Sequence, residues 1–187
     1  DGSRLLSSAD DGSIRLWEPG ATEASGIFSG HRGGVLAVAV SADDTLVASG
    51  GRDGTVRIWN PADGSAVQVM EGHRGWVERV AFAAGGHEVV STGRDGRLLR
   101  WNVKSGDAVV EIAVGPWLRA LAVTPDGQRV YVSGDDATIT GWDVAAGEQI
   151  TSLKGHEARV DGLAVSPDGS ALLSASADTT LLVWGLR

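Results

Sequence analysis

GHRGGVLAVAVSADDTLVASGGRDGTVRIWN, residues 30–60, is the stretch whose reading decides the fold. Within it VLAVAV (35–40) is apolar on both faces, TLVAS (45–49) follows the turn SADD, and TVRIW (55–59) follows the turn GRDG. Short length, β-branched content and Gly/Asp punctuation predict strands rather than helices. A fourth, more polar strand, SAVQVM (65–70), follows PADG. Connections of four or five residues are too short for a parallel crossover, so the unit is predicted to be an antiparallel four-stranded meander.

The same pattern recurs along the chain. Trp17, Trp59, Trp101, Trp142 and Trp184 lie 42, 42, 41 and 42 residues apart, and each has an aspartate six positions earlier: Asp11, Asp53, Asp95, Asp136 and Asp178. A period near 42 that carries both a large aromatic and a turn acid marks a structural unit copied in tandem. The copies divide the chain into a half-repeat at 1–20 and repeats at about 21–60, 61–102, 103–143 and 144–187. About 18 strands are expected, two in the half-repeat and four in each later unit. First strands such as VLAVAV lack polar alternation, which predicts that small sheets stack face to face and cover both sides of them. Radial stacking of such sheets gives a propeller.

These residues resemble the WD-repeat β-propeller family, whose copies carry a GH pair before the first strand and a Trp-Asp or similar pair ending the third. The GH pairs here are Gly30/His31, Gly72/His73 and Gly155/His156, and only Trp142 is followed by aspartate, Asp143. The resemblance spans essentially the whole chain. It implies an all-β propeller of four-stranded antiparallel blades, with four to five blades visible. The family closes most often with seven blades, so this stretch is expected to be part of a larger closed ring. A face left uncovered at either end, with about 400 Å² of apolar surface at about 25 cal/mol per Å², forgoes about 10 kcal/mol of burial. Missing blades from the rest of the chain or from another subunit are expected to cover both ends. Light scattering tests this, and a well-dispersed monomer of these 187 residues would count against it.

In every copy that has both, the GH histidine precedes the turn aspartate by 22 residues, and a serine precedes that aspartate by four. The resemblance implies a hydrogen-bonded tetrad within each blade: Asp53, His31, Ser49 and Trp59; Asp95, His73, Ser91 and Trp101; Asp178, His156, Ser174 and Trp184. Each is expected to tie together four strands and two loops. The opening half-copy keeps Ser7. In the third complete copy the histidine and serine positions are Val114 and Val132, although Asp136 and Trp142 remain. Losing both middle members together strands no partner, so that substitution can be nearly neutral.

Ser, His and Asp are also the residue types of an acyl-transfer triad. Three copies in apolar strands argue for a structural use instead, so no catalytic residue is expected. His87, alone in the turn AGGHEV, has no second ligand at metal spacing, and the Gly pairs 33/34, 50/51 and 85/86 open no helix that could hold a phosphate. Neither a metal nor a cofactor is expected.

The composition narrows the partners. The chain has 187 residues, a net charge of -8, no cysteine and no apolar run near the ~18 residues of a membrane helix. Disulfides and thiolate metal sites are excluded, and the absence of cysteine suits cytoplasm or periplasm, with a slight lean to the cytoplasm. Because the chain opens at Asp1 inside a repeat, any targeting signal is expected outside it. No membrane insertion and no nucleic-acid binding are expected, since no basic cluster offsets the negative charge. High Ala, Gly, Asp and Arg usage with only Lys104 and Lys154 as lysines is associated with a GC-rich bacterial source.

Function is sought where the copies differ. Trp76 and Trp117 stand outside the repeating set, each three positions past the GH histidine position, where other copies have Gly34 and Arg159. The residue before the turn aspartate varies as Asp10, Arg52, Arg94, Asp135 and Ala177, and another aligned position as Glu78, Arg119 and Asp161. The resemblance places these loops on one face. Trp and Arg dominate interface hot spots, so Trp76, Trp117, Arg52 and Arg94 are the candidate partner-binding patch. The expected function is a noncatalytic protein-interaction scaffold within a larger protein. The alternative is an accessory or sensor domain of an enzyme whose catalytic module lies elsewhere.

Overall fold

The computed structural model describes residues 2–186. Its described residues form eighteen β-strands in five antiparallel sheets. The first sheet holds β1 (Leu5–Ser8), β2 (Ser13–Trp17) and β3 (Gly26–Ser29), and the second β4 (Val35–Val40), β5 (Val47–Gly51), β6 (Thr55–Trp59) and β7 (Ala66–Glu71). The third holds β8 (Val77–Ala83), β9 (Glu88–Gly93), β10 (Arg97–Asn102) and β11 (Ala108–Ala113). The fourth holds β12 (Leu118–Val123), β13 (Arg129–Gly134), β14 (Thr138–Asp143) and β15 (Glu148–Lys154), and the fifth β16 (Val160–Val165), β17 (Ala171–Ser176) and β18 (Leu181–Gly185). Each sheet is a meander in chain order, and β4 packs on β8, β8 on β12 and β12 on β16. The result is a partial propeller. Sheets and sequence copies are offset by one strand, because β3 pairs with β2 although the period assigns it to the following copy.

Two strands start later than the pattern predicts. Thr45 and Ser65 lie before their strands, where Thr45 bonds through its amide and hydroxyl to Asp43, and Ser65 through its amide to Asp63. A side chain that can satisfy the local backbone competes with the ladder. The tight corners follow the reading, with Gly54, Gly96, Gly127 and Gly169 all near φ 70–76°.

The core lies further from the axis than predicted. The first strands are only partly covered, β4 being half-buried along most of its length, whereas β5 is buried throughout and β6, β9 and β13 nearly so. First strands touch mainly one another across neighbouring sheets, so their inner faces look onto the axis. Between sheets, clusters such as Ala48, Val56, Ile58, Met70, Val77, Val89, Leu99 and Trp101 fill the gaps. The two end sheets expose large apolar side chains: Leu5 (63%) and Ile27 (59%) at one, Leu181 (67%) and Val183 (72%) at the other. Among the described residues, no helix is long and apolar enough to cross a membrane.

Candidate functional site

Three sheets bring their Asp, His, Ser and Trp into contact. In the second, the Trp59 indole N–H donates to Ser49 Oγ (2.8 Å), which lies 2.8 Å from His31 Nε2, while His31 Nδ1 lies 3.0 and 3.1 Å from the Asp53 carboxylate. A carboxylate only accepts, so Nδ1 carries the proton, Nε2 accepts from the serine hydroxyl, and that oxygen accepts from the indole. The third sheet repeats this with Trp101–Ser91 and His73–Ser91 at 2.8 Å and His73–Asp95 at 3.0 Å. The fifth repeats it with Trp184–Ser174 at 2.8 Å, His156–Ser174 at 2.7 Å and His156–Asp178 at 2.9 Å. The members lie on two strands and two loops, not four strands, because histidine precedes the first strand and aspartate sits in the turn between the second and third.

The aspartate does more than orient the imidazole. Asp53 also accepts the amide N–H of Arg32 (2.8 Å) and Thr55 (3.1 Å), and Asp95 and Asp178 take the equivalent pairs, Arg74 with Arg97 and Glu157 with Thr180. Burial alone would raise the Asp53 carboxyl, but the Arg32 amide, His31 and the Thr55 amide overcome it and hold it at about 2. Burial also pushes the His31 imidazole below its ordinary 6.5, against the pull of Asp53. The pair is therefore neutral imidazole against carboxylate at neutral pH.

Both shifts favour the deprotonated folded form, so both lose stabilisation on acidification. The melting midpoint is expected to hold above pH 6.5 and to fall as the pH drops below it, where unfolded His31 takes up a proton that the folded form resists. A second decline is expected from 3.8 toward about 2 as Asp53 protonates. Circular dichroism melts from pH 8 to pH 2 check this, and a midpoint that rises between pH 7 and 5 would refute it.

The serines suit no nucleophile. Ser49, Ser91 and Ser174 are all fully buried, and their oxygens already serve an indole and an imidazole. A hydroxyl must reach a substrate carbonyl to attack it. In the fourth sheet, where valines replace the pair, the Trp142 indole donates to Thr140 Oγ1 instead (2.9 Å), a substitute partner that sequence reasoning missed. In the first sheet Trp17 still donates to Ser7 (2.9 Å).

The four patch residues converge with a fifth. The Arg52 guanidinium carbon lies 4.8 Å from the Trp76 ring centre, Arg94 lies 3.8 Å from Trp76 and 3.9 Å from Trp117, and Arg119 lies 3.7 Å from Trp117. The order Arg52–Trp76–Arg94–Trp117–Arg119 forms one ladder of alternating cations and indoles across three sheets. Carboxylates hold its charged edges: Asp10 meets Arg52 at 3.0 Å, Glu78 meets Arg94 at 2.5 Å, and Asp135 meets Arg119. Three cations and three anions balance there.

Arg119 was not in the patch read from sequence, and a β-bulge explains why it belongs. The β12–β13 register skips between Leu118 and Ala120, so Arg119 is the extra residue. Glu78 and Asp161 occupy the same bulge in β8 and β16. A bulge re-aims its side chain out of the alternating pattern. The aligned variable position is therefore a bulge, and the only sequence signal was that alignment. The Trp117 indole N–H is buried with no partner among the described residues. His87 is exposed and apart from these groups.

A family described as WD domain, G-beta repeat matches the chain at residues 1–18, 23–60, 64–102, 112–143 and 147–185. No curated protein matches it significantly.

Proposed function

The chain belongs to the WD domain, G-beta repeat family, and on that premise we propose that it is a noncatalytic scaffold that docks a protein partner on the face carrying the Arg–Trp ladder. The observation that carries the reading is the ladder itself. Two indoles and three guanidiniums, partly exposed, occupy one surface and depart from the repeat that builds the rest of the chain. Aromatic and arginine side chains held rigid before binding lose little entropy when a partner arrives. Stacking each guanidinium on an indole, at about 0.5–1 kcal/mol per exposed pair, supplies that rigidity.

The ladder is also charge-balanced, so partners are selected by fit to its planar surfaces more than by long-range attraction. Replacing Trp76 and Trp117 together with alanine is expected to weaken the partner by at least about 2 kcal/mol, about thirtyfold. The check is affinity capture from cells of the source, followed by calorimetry with the purified partner. Unchanged affinity in a variant with a native circular dichroism spectrum would discard the patch.

A further inference from the structure

The fourth sheet holds a cavity where the second, third and fifth sheets hold an imidazole. Val114 and Val132 stand at the histidine and serine positions, and the space beside them, about 50 Å³, opens to the surface between the loop before β12 and the turn at Asp136. A single water needs about 10–15 Å³ of such space, and a cavity of about 150 Å³ admits benzene. The room suits two or three heavy atoms and excludes a ring or a guanidinium.

Its lining is divided by chemistry. Val114, Leu118 and Val132 form apolar walls, while Asp136, Thr138 and Thr140 supply oxygens. Asp136 has lost the donors its counterparts keep. Asp53, Asp95 and Asp178 each receive a histidine Nδ1 and the amide of the following residue. At the fourth sheet that amide, Gly115 N–H, donates to Gly96 O instead, and the hydrogen bond found for the Asp136 carboxylate is a long one from Thr138 N–H, 3.4 Å. Asp136 is correspondingly exposed where the other three are half-buried. Thr140 Oγ1 uses one lone pair for Trp142 and keeps another.

We propose that this socket binds a primary alkylammonium group, its methylene against the two valines and its three N–H donors shared among Asp136, Thr138 and Thr140. A primary ammonium brings a short apolar stem, three donors and the charge that a bare carboxylate on a chain of net charge -8 attracts. Asp135 also lines the socket but is already paired with the Arg119 guanidinium, which is stacked on Trp117. The socket adjoins the end of the ladder. That a partner's lysine supplies the ammonium rests on the docking face proposed above, whereas the socket's chemistry stands without it.

The probe is ethylammonium chloride, titrated at constant ionic strength while the methyl resonances of Val114, Leu118 and Val132 and the amides of Thr138 and Thr140 are followed by NMR. Saturable shifts confined to these residues are expected in the millimolar range, at least tenfold weaker with ethanol and at least tenfold weaker in Asp136→Asn. Val114→His combined with Val132→Ser fills the space and is expected to abolish the shifts. A slowly exchanging imidazole N–H appearing in that double variant would report the rebuilt network and show that it folds. No saturable shift, an equal response to ethanol, or an unchanged response in Asp136→Asn would each overturn the proposal. Failure here leaves the docking face untouched, since that is read through Trp76 and Trp117. Loss of the docking face likewise leaves the socket untouched.

Discussion

Substituting alanine for Trp101 is expected to lower the free energy of unfolding by about 3–5 kcal/mol, the range for deleting a fully buried aromatic. Trp101 is 1% exposed and lies in the largest cluster between the second and third sheets, beside Val56, Val77 and Leu99. Its ring edge also fits against Gly72, where an added Cβ would lie 2.8 Å from the indole, so the space has no slack for neighbours to fill. The substitution opens a cavity and removes the donor to Ser91. Trp184 offers the control. It makes the same hydrogen bond at 2.8 Å but is only half-buried, at the end of the arc. Trp184→Ala is therefore expected to cost about half as much, as the burial term scales with area removed from water. Denaturant unfolding of the two variants measures both, and equal costs would show that the hydrogen bond, not burial, dominates.

Ser91→Ala is expected to cost about 2–6 kcal/mol although it deletes one oxygen. That oxygen serves the Trp101 N–H and His73 Nε2 at once, both at 2.8 Å and both shielded from water. Its loss strands a buried donor and a buried acceptor, at about 1–3 kcal/mol each. Removing the imidazole as well relieves half of that. His73→Val with Ser91→Val, the pair the fourth sheet carries naturally, is expected to cost less than the sum of the single changes by at least about 1 kcal/mol. The fourth sheet also shows what a full replacement requires, since Trp142 keeps a partner only because Thr140 stands two residues before it. Additive costs in a double-mutant cycle would refute a coupled network.

Much of this was legible in the residues because the forces concerned act over short spans. Turn glycines and aspartates fix where hairpins close, and strands between them can be little else. The spacings that assemble His73, Ser91, Asp95 and Trp101 are covered within one copy, so a repeat of period 42 displays them three times over. What escaped lies between copies or against the alternating pattern. Arg94 stacks on Trp117, a residue of the next sheet, and no periodicity records a contact between two positions that each vary. Arg119 reaches the ladder from a bulge, which the strand's alternation conceals. The starts of β5 and β7 were misplaced because Asp43 and Asp63 capture neighbouring amides. The cavity was invisible for a different reason: the valine pair signals a lost network, but not whether the walls collapse into the space.

The closure of each Trp–Ser–His–Asp set within a single sheet also bears on how the molecule assembles and fails. With every such set completed by residues no more than about one repeat apart, and sheets packed mainly on their sequence neighbours among the described residues, a hairpin can reach its final arrangement before distant segments are made. Unzipping should likewise proceed sheet by sheet from the termini. Damage to the third sheet would then leave two separately structured fragments joined by a loosened segment, each retaining slow amide exchange of its own.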